Sequence, residues 1–321
     1  MSANNRVTIR DVALRANVTA QTVSRVMRGT GYVAEDTRKC VLAAAKELKY
    51  IPSYVAKALR NGMSRSIAVV FDSLRNVYFS VMIDHLRQEI IAHGYSVQLI
   101  FSDDVIITES CYRKAISHGA VAVISFLEGD DGIGDAVEDC GVPLMIFGRT
   151  TDDERLDFVT TDDKQGGELV AKRLLAQGCT KFKYLVEGSG MTCALERYEG
   201  FSSELKKHGY EVEIIDTGAV GDAYAMVDIN DPTTGVFCFN DILAFHLIKQ
   251  MTRVPLELRP KVVGYDNIQS DIVLPINLTT VGVDKSHHAK YAIDSIVAKL
   301  SDPTVRFAVR EQVSVFDGET A

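Results

Sequence analysis

Two successive series of short apolar, β-rich runs, spaced by amphipathic helical stretches, fill most of this 321-residue chain and leave it few possible architectures. The first series is Ile67–Phe71, Val97–Phe101, Ala120–Phe126 and Leu144–Phe147, with a helical stretch such as Phe79–His93 between runs. The second is Phe182–Val186, Val212–Ile215, Gly235–Phe239, Val262–Tyr265 and Leu278–Val283, and one further strand-like run follows, Phe307–Val315. Strands alternating with helices argue for parallel, doubly wound sheets. Two such series imply an α/β fold with two similar lobes. Ligands of these folds sit outside the carboxyl ends of the strands, so two facing lobes would enclose a cleft. The chain has no G-x-G-x-x-G after its first strand, no P-loop and no G-x-S-x-G. Gly188-Ser189-Gly190 reads as a turn at a strand end, and the adjacent pairs Asp103-Asp104, Asp130-Asp131 and Asp152-Asp153 read as solvated loops. Nothing here demands catalysis.

The first 65 residues follow other rules. They carry 12 Lys and Arg against 4 Asp and Glu, a net of +8, so with a whole-chain charge of −8 the remaining 256 residues carry −16. A basic block on an acidic chain invites a polyanion partner at that block. Thr8 is placed to cap a helix whose apolar stripe is Ile9, Val12, Ala13 and Ala16; Asn17-Val18 breaks it. Thr19 caps a second helix with Ala20, Val23, Val26 and Met27 inward, ending at Gly29 and Gly31. A third runs from about Ala34 to Lys49. Two short helices joined by a tight turn describe a helix-turn-helix, in which the second helix enters the major groove. Its outward residues here are Ala20, Gln21, Thr22, Arg25 and Arg28. Gln pairs with adenine and Arg with guanine, each good pair contributing roughly 1–3 kcal/mol of discrimination. Thr8, Arg10, Ser24 and Arg38 suit phosphate contacts, which position without reading sequence. Pro52 ends the third helix. Ser53 then caps a stub, Tyr54 to Asn61, with Val55, Ala56 and Leu59 on one face. About eight residues are too few for a helix stable alone in water, so this element can fold on contact with a partner.

The runs TIRDVALRANVTAQTVSRVMRG and YVAEDTRKCVLAAAKELKYIPSYVAKALRNG resemble the DNA-binding headpiece of the LacI/GalR family of bacterial regulators. The resemblance implies a hinge helix in the minor groove, where Leu59 intercalates beside Ala56 and Val55 packs on the partner hinge. Ser53 and Lys57 depart from the family's usual Asn and Arg or Gln. The segments ERYEGF, CFNDILAF, VVGYDNI and LTTV resemble the same family's effector domain, itself similar to type I periplasmic sugar-binding proteins. That implies effector contacts from Arg197, Asn240 and Asp266, with Asp241 the alternative cap of the helix beginning there. In the first lobe the family's N-P-F-F reads Asn76-Val77-Tyr78-Phe79 here, so Tyr78 or Phe79 stacks on the effector. Phe126 and Arg149 end strands of that lobe and join the candidates. Arg149 with Arg197 suggests an anionic sugar acid or sugar phosphate.

The expected organisation is a headpiece over residues 1–52, a hinge and linker over 53–65, and a two-lobed effector-binding and dimerisation domain over 66–317. The expected partners are a pseudo-palindromic double-stranded DNA operator, a carbohydrate-like small molecule and a second copy of the chain, a homodimer being favoured over a tail-built tetramer because no apolar heptad run follows the last strand. The opening MSANNRVTIRDV carries charge where a signal peptide's apolar run would lie, and no run reaches 18 apolar residues, which points to the cytoplasm. The six cysteines form no C-x-x-C pair and the seven histidines no metal spacing, so neither metal nor cofactor is expected. The rival readings are a transport solute-binding protein, disfavoured by the basic headpiece, and a sugar-modifying enzyme.

Overall fold

The computed structural model describes residues 7–28, 32–48, 66–188, 190–218, 223–274 and 276–321. They fall into two compact units, Met1–Ser64 and Arg65–Ala321. The smaller unit contains α1 (Ile9–Arg15), α2 (Ala20–Arg28) and α3 (Glu35–Glu47). Thr8 and Asp11 form a reciprocal cap: the Thr8 hydroxyl accepts from the Asp11 amide, and the Thr8 amide donates to the Asp11 carboxylate at 2.6 Å, which satisfies two otherwise orphaned donors. Asn17 turns the chain at φ 52°, a left-handed conformation that asparagine tolerates. The Thr19 hydroxyl accepts from the Thr22 amide at 3.2 Å and starts α2. Val12, Ala13, Val23, Val26, Val41, Ala44 and Ala45 form the buried core where the three helices meet.

The larger unit begins with β1 (Ser66–Phe71), α4 (Val77–Ala92), β2 (Ser96–Phe101), β3 (Ile106–Ile107), α5 (Glu109–Ser117), β4 (Ala120–Ser125), β5 (Glu128–Gly129), α6 (Ile133–Cys140), β6 (Leu144–Phe147) and β7 (Asp157–Thr161). A second series follows: α7 (Asp163–Ala176), β8 (Lys181–Val186), α8 (Thr192–Lys207), β9 (Val212–Asp216), β10 (Thr234–Cys238), α9 (Asp241–Gln250), β11 (Lys261–Tyr265) and β12 (Thr279–Gly282). The chain then returns through α10 (Lys285–Ser301), β13 (Ala308–Glu311) and β14 (Ser314–Phe316). The two six-stranded sheets have matching orders, β13-β7-β6-β4-β1-β2 and β14-β12-β11-β10-β8-β9. All pairings are parallel except β12 with β14. Strand order reverses between β1 and β4 and between β8 and β10, and at such points the carboxyl ends open a crevice.

Three differences from the sequence reading stand out. Phe307–Val315 is not one strand: β13 lies beside β7 in the first lobe and β14 beside β12 in the second, so the chain crosses between lobes within the run. β7 went unread because its apolar residues are flanked by the buried Asp157, which is neutralised by Lys299 and accepts from the Phe307 amide. The second lobe also continues past residue 317: the Thr320 carbonyl accepts from the Val262 amide at 2.9 Å, and the Ala321 carbonyl accepts from Thr279.

Helices α7 and α8 touch backbone to backbone. A Cβ on Gly167 would collide with the Arg197 carbonyl and lie 2.6 Å from the Phe201 nitrogen, and one on Gly200 would collide with the Lys164 carbonyl. This contact brings Asp163, first residue of α7, against Arg197 of α8. No helix among the described residues is long and apolar enough to cross a membrane.

Candidate functional site

The carboxyl ends of the strands and the helices that follow them supply the interlobe cluster. At its centre Arg197 is 7% exposed. Its Nε donates to Asp163 Oδ1 at 2.7 Å and its Nη1 to the Phe239 carbonyl at 2.6 Å, while Asp266 Oδ1 stands 4.0 Å away. The guanidinium carbon lies 3.5 Å from the centre of the Tyr265 ring and 4.7 Å from that of Phe239, an arrangement in which ring faces stabilise a desolvated cation. Asp266 holds φ at 108° and Asn267 at 50°. Such backbone costs energy in a non-glycine residue and persists where surrounding bonds fix it. Here the Asp266 amide donates to the Val281 carbonyl, Ile268 N to Asp241 Oδ2 at 2.9 Å, and the buried Lys285 ammonium to the Asn267 carbonyl and to Ser270 Oγ.

Burial drives the charge states. It pushes the Asp266 carboxyl well above its ordinary value, against the opposing charge of Arg197. It lifts Asp241 to about 7, against hydrogen bonds from Thr280 and Ile268. It also raises the Tyr78 phenol, with the Asp266 charge adding to the effect, so Tyr78 stays a neutral donor. For Asp241 the fold prefers the protonated form. Its contribution to stability is therefore full below the unfolded value near 4 and is lost as pH rises through about 7. We expect Asp241→Asn to flatten this decline, on the order of a few kcal/mol between pH 4 and 8. Denaturant midpoints of both proteins across that range check it; parallel curves would refute the assignment.

The sequence-derived candidates distribute as follows. Arg197 and Asp266 meet in the cluster. Asn240 caps α9, its Oδ1 accepting from Leu243 N at 2.8 Å. The buried Asp241 instead accepts from Ile268 N and, at 2.6 Å, from Thr280 Oγ1. The cap of α9 is thus Asn240 and not Asp241, because Asn240 is the extended residue preceding the helix. Tyr78, in the first turn of α4, is half-buried, and the charges of Asp266, Arg197 and Asp163 act on its phenol. Phe79 packs on Phe126 at 5.3 Å and Phe126 on Phe147 at 5.2 Å. The Phe126 ring is 2% exposed; it is a core ring, and its carbonyl orients Arg149 by accepting from Nε at 2.9 Å. Arg149 Nη1 faces Glu128 at 3.4 Å, and Glu128 accepts from the second lobe's Thr192 hydroxyl at 2.9 Å. His85 with Asp271 at 2.7 Å and Arg310 with Glu196 at 2.7 Å also join the lobes.

This corrects the anionic expectation. Both arginines already face carboxylates, Arg149 Glu128 and Arg197 Asp163. The sequence reading missed Asp163, Glu128 and Lys285. Asp163 sits in TTDDKQGG after the unread strand β7, so its only signal was a pair of acids beside two glycines. Among the described residues no group of three or more His, Cys, Asp or Glu is placed to hold a metal ion.

On the headpiece, Gln21, Arg25, Thr8, Arg10 and Arg38 are exposed, and Ala20 and Thr22 partly so. Ser24 is 5% exposed, which leaves little of it for the phosphate contact expected from the sequence. The Arg28 side chain and the hinge candidates Val55, Ala56 and Leu59 lie outside the described residues.

A helix-turn-helix unit followed by a two-lobed domain with a charged interlobe cluster defines a DNA-binding protein with a ligand-binding body. Residues 8–53 match the sequence profile of bacterial regulatory proteins of the lacI family, and residues 171–320 that of the periplasmic binding protein-like domain. The ribose operon repressor of Halalkalibacterium halodurans is 31% identical over 289 residues, 85% of this chain and 84% of the relative. The HTH-type transcriptional repressor PurR of Photobacterium profundum is 29% identical over 310 residues, 92% of each. The lac repressor dimer bound to operator and the anti-inducer ONPF superposes with a TM-score of 0.80 at 24% identity, over 98% of this chain and 99% of that one. A LacI family regulator from Enterococcus faecium with bound ribose has a TM-score of 0.70 at 20% identity, over 80% and 98%. At these identities the two structures speak to the fold. The chain belongs to the lacI family of bacterial regulatory proteins.

Proposed function

We propose that this protein is a cytoplasmic, homodimeric transcriptional repressor whose operator affinity is set by a neutral sugar held between the lobes. The observation that carries this reading is the Arg197 cluster: a buried guanidinium, two ring faces and carboxyls with raised proton affinity, placed at facing strand ends in a chain that begins with a helix-turn-helix. A guanidinium fork and carboxyl groups suit the paired hydroxyls of a polyol. Because Arg149 and Arg197 are already paired with Glu128 and Asp163, neither is left to neutralise an added phosphate or carboxylate. The relatives named for ribose regulation and crystallised with ribose make pentoses the first compounds to try. The half-exposed Leu99 and Phe101 on edge strand β2, with Leu74 and Val105 nearby in sequence, offer apolar surface for a second copy. The deciding experiment is a thermal-shift screen of sugars, sugar acids and sugar phosphates, followed by operator binding with each hit. Stabilisation only by the phosphates and acids would overturn the neutral-sugar reading. Turnover of a bound sugar would revive the enzyme reading.

Coupling requires an element that responds to small energies, typically about 1–3 kcal/mol, and the 53–65 stub is our candidate. Leu59→Ala is expected to weaken specific operator binding while leaving effector affinity near normal; unchanged operator affinity would remove the hinge from the mechanism. Gln21→Ala is expected to relax base preference by roughly 1–3 kcal/mol. Replacing Arg10 should instead weaken binding to all sequences and flatten the salt dependence.

A further inference from the structure

Helices α7, α9 and α10 begin on side chains of their own: Asp162, Asn240 and Asp284 each accept from an amide of the first turn. Helix α8, which carries Arg197, does not. Met191, the residue before it, supplies no side-chain acceptor, and its first turn holds no acid. The first amides of a helix need an acceptor and favour a negative charge. For α8 the acceptor comes from the opposite lobe. Glu128 Oε1 accepts from the Thr192 hydroxyl at 2.9 Å and from the Thr192 amide at 3.4 Å. Glu128 is itself fixed from its own side of the cleft. Its strand β5 pairs with β3, and Arg149, whose Nε donates to the Phe126 carbonyl, faces its carboxylate at 3.4 Å.

The first lobe grips α8 a second time. Arg310 of β13 donates to Glu196, one turn beyond Thr192, through two bonds of 2.7 and 2.8 Å, and the next residue is Arg197. We propose that Glu128 is a positioning residue for effector binding: by capping α8 from across the cleft, it holds Arg197 in the arrangement of the lobes that an effector touching both of them binds. This rests on the interlobe cleft being the effector site. The cap exists only while the lobes are together, so its free energy adds to the closed arrangement. A ligand that contacts both lobes binds that arrangement best, and its apparent affinity falls with the fraction of molecules that adopt it.

Hydrogen exchange of the effector-free full chain reads the cap without a ligand. In Glu128→Ala the Thr192 amide should exchange about tenfold faster, as for a lost helix cap, while the amides of β4 in the first lobe keep their rates. Glu128→Gln keeps an acceptor and loses the charge, so it should fall between the two. Unchanged exchange at Thr192, or equal acceleration in β4, would overturn the cap while leaving the cleft reading intact. Calorimetric titration with D-ribose, D-xylose and D-glucose reads the consequence: the tightest of the three should bind Glu128→Ala about five- to tenfold more weakly than the parent. Thr192→Val removes the hydroxyl donor from the other side of the cleft. It should weaken binding too, and adding Glu128→Ala to it should cost less than Glu128→Ala costs alone. Fully additive losses, or an undiminished affinity in Glu128→Ala, would overturn the positioning role. Failure of all three sugars to bind the parent protein would overturn the effector reading and the positioning role with it, leaving the cap itself to the exchange data. Should Glu128→Ala not fold, Glu128→Gln and Thr192→Val carry the same comparison.

Discussion

Arg197→Met should destabilise the two-lobed domain by about 3–5 kcal/mol, because it strips the counter-charge from buried carboxyls without removing them. Asp163 loses its 2.7 Å partner, the Phe239 carbonyl loses a donor, and the cation between Tyr265 and Phe239 disappears. Effector binding should fall by about 100-fold or more, since one charged hydrogen bond alone contributes roughly 1.5–3 kcal/mol and several contacts are lost together. Denaturant unfolding and sugar titration of the same sample measure the two effects. The double variant Arg197→Met, Asp163→Asn separates them: deleting the stranded charge should recover much of the stability and none of the binding. Recovery of binding in the double variant would mean that Arg197 only neutralises Asp163 and never meets the ligand.

Gly200→Val gives the second large effect. Intrinsic helix propensity, considered alone, predicts that any side chain at a mid-helix glycine stabilises the helix, by up to about 1 kcal/mol for alanine. The contact predicts the reverse, because the added carbon would collide with the Lys164 backbone carbonyl, which cannot rotate away. Overpacking typically costs about 1–3 kcal/mol and occasionally more; with backbone as the obstacle we expect about 3 kcal/mol or more for valine and a smaller loss for alanine. Separating α7 from α8 also separates Asp163 from Arg197, so effector affinity should fall with stability. A Gly200→Ala protein more stable than the parent would show that the helices move apart freely.

Much of this was legible in the chain itself. Apolar runs at strand length and turns between them fixed the two α/β lobes, and the capping residues Thr8 and Thr19 with the 3.6-residue stripe fixed the first two helices, because those signals are local. Arg197 and Asp266 were found through motif resemblance. The rest depended on neighbours far apart in sequence. Phe126 was a plausible ligand wall until two other rings enclosed it, and Ser24 a phosphate contact until the bundle buried it. Whether Asn240 or Asp241 capped α9 turned on where Ile268 and Thr280 came to lie.

By itself, then, the sequence determined the kind of protein: local periodicity, capping and charge segregation set a basic three-helix unit ahead of paired parallel sheets. Only the tertiary structure decided the chemistry of the cleft. A charge's meaning depends on what stands within a few ångströms of it in a low-dielectric interior. Asp163, 34 residues before its partner, turns Arg197 from an anion's receptor into one half of a neutral pair.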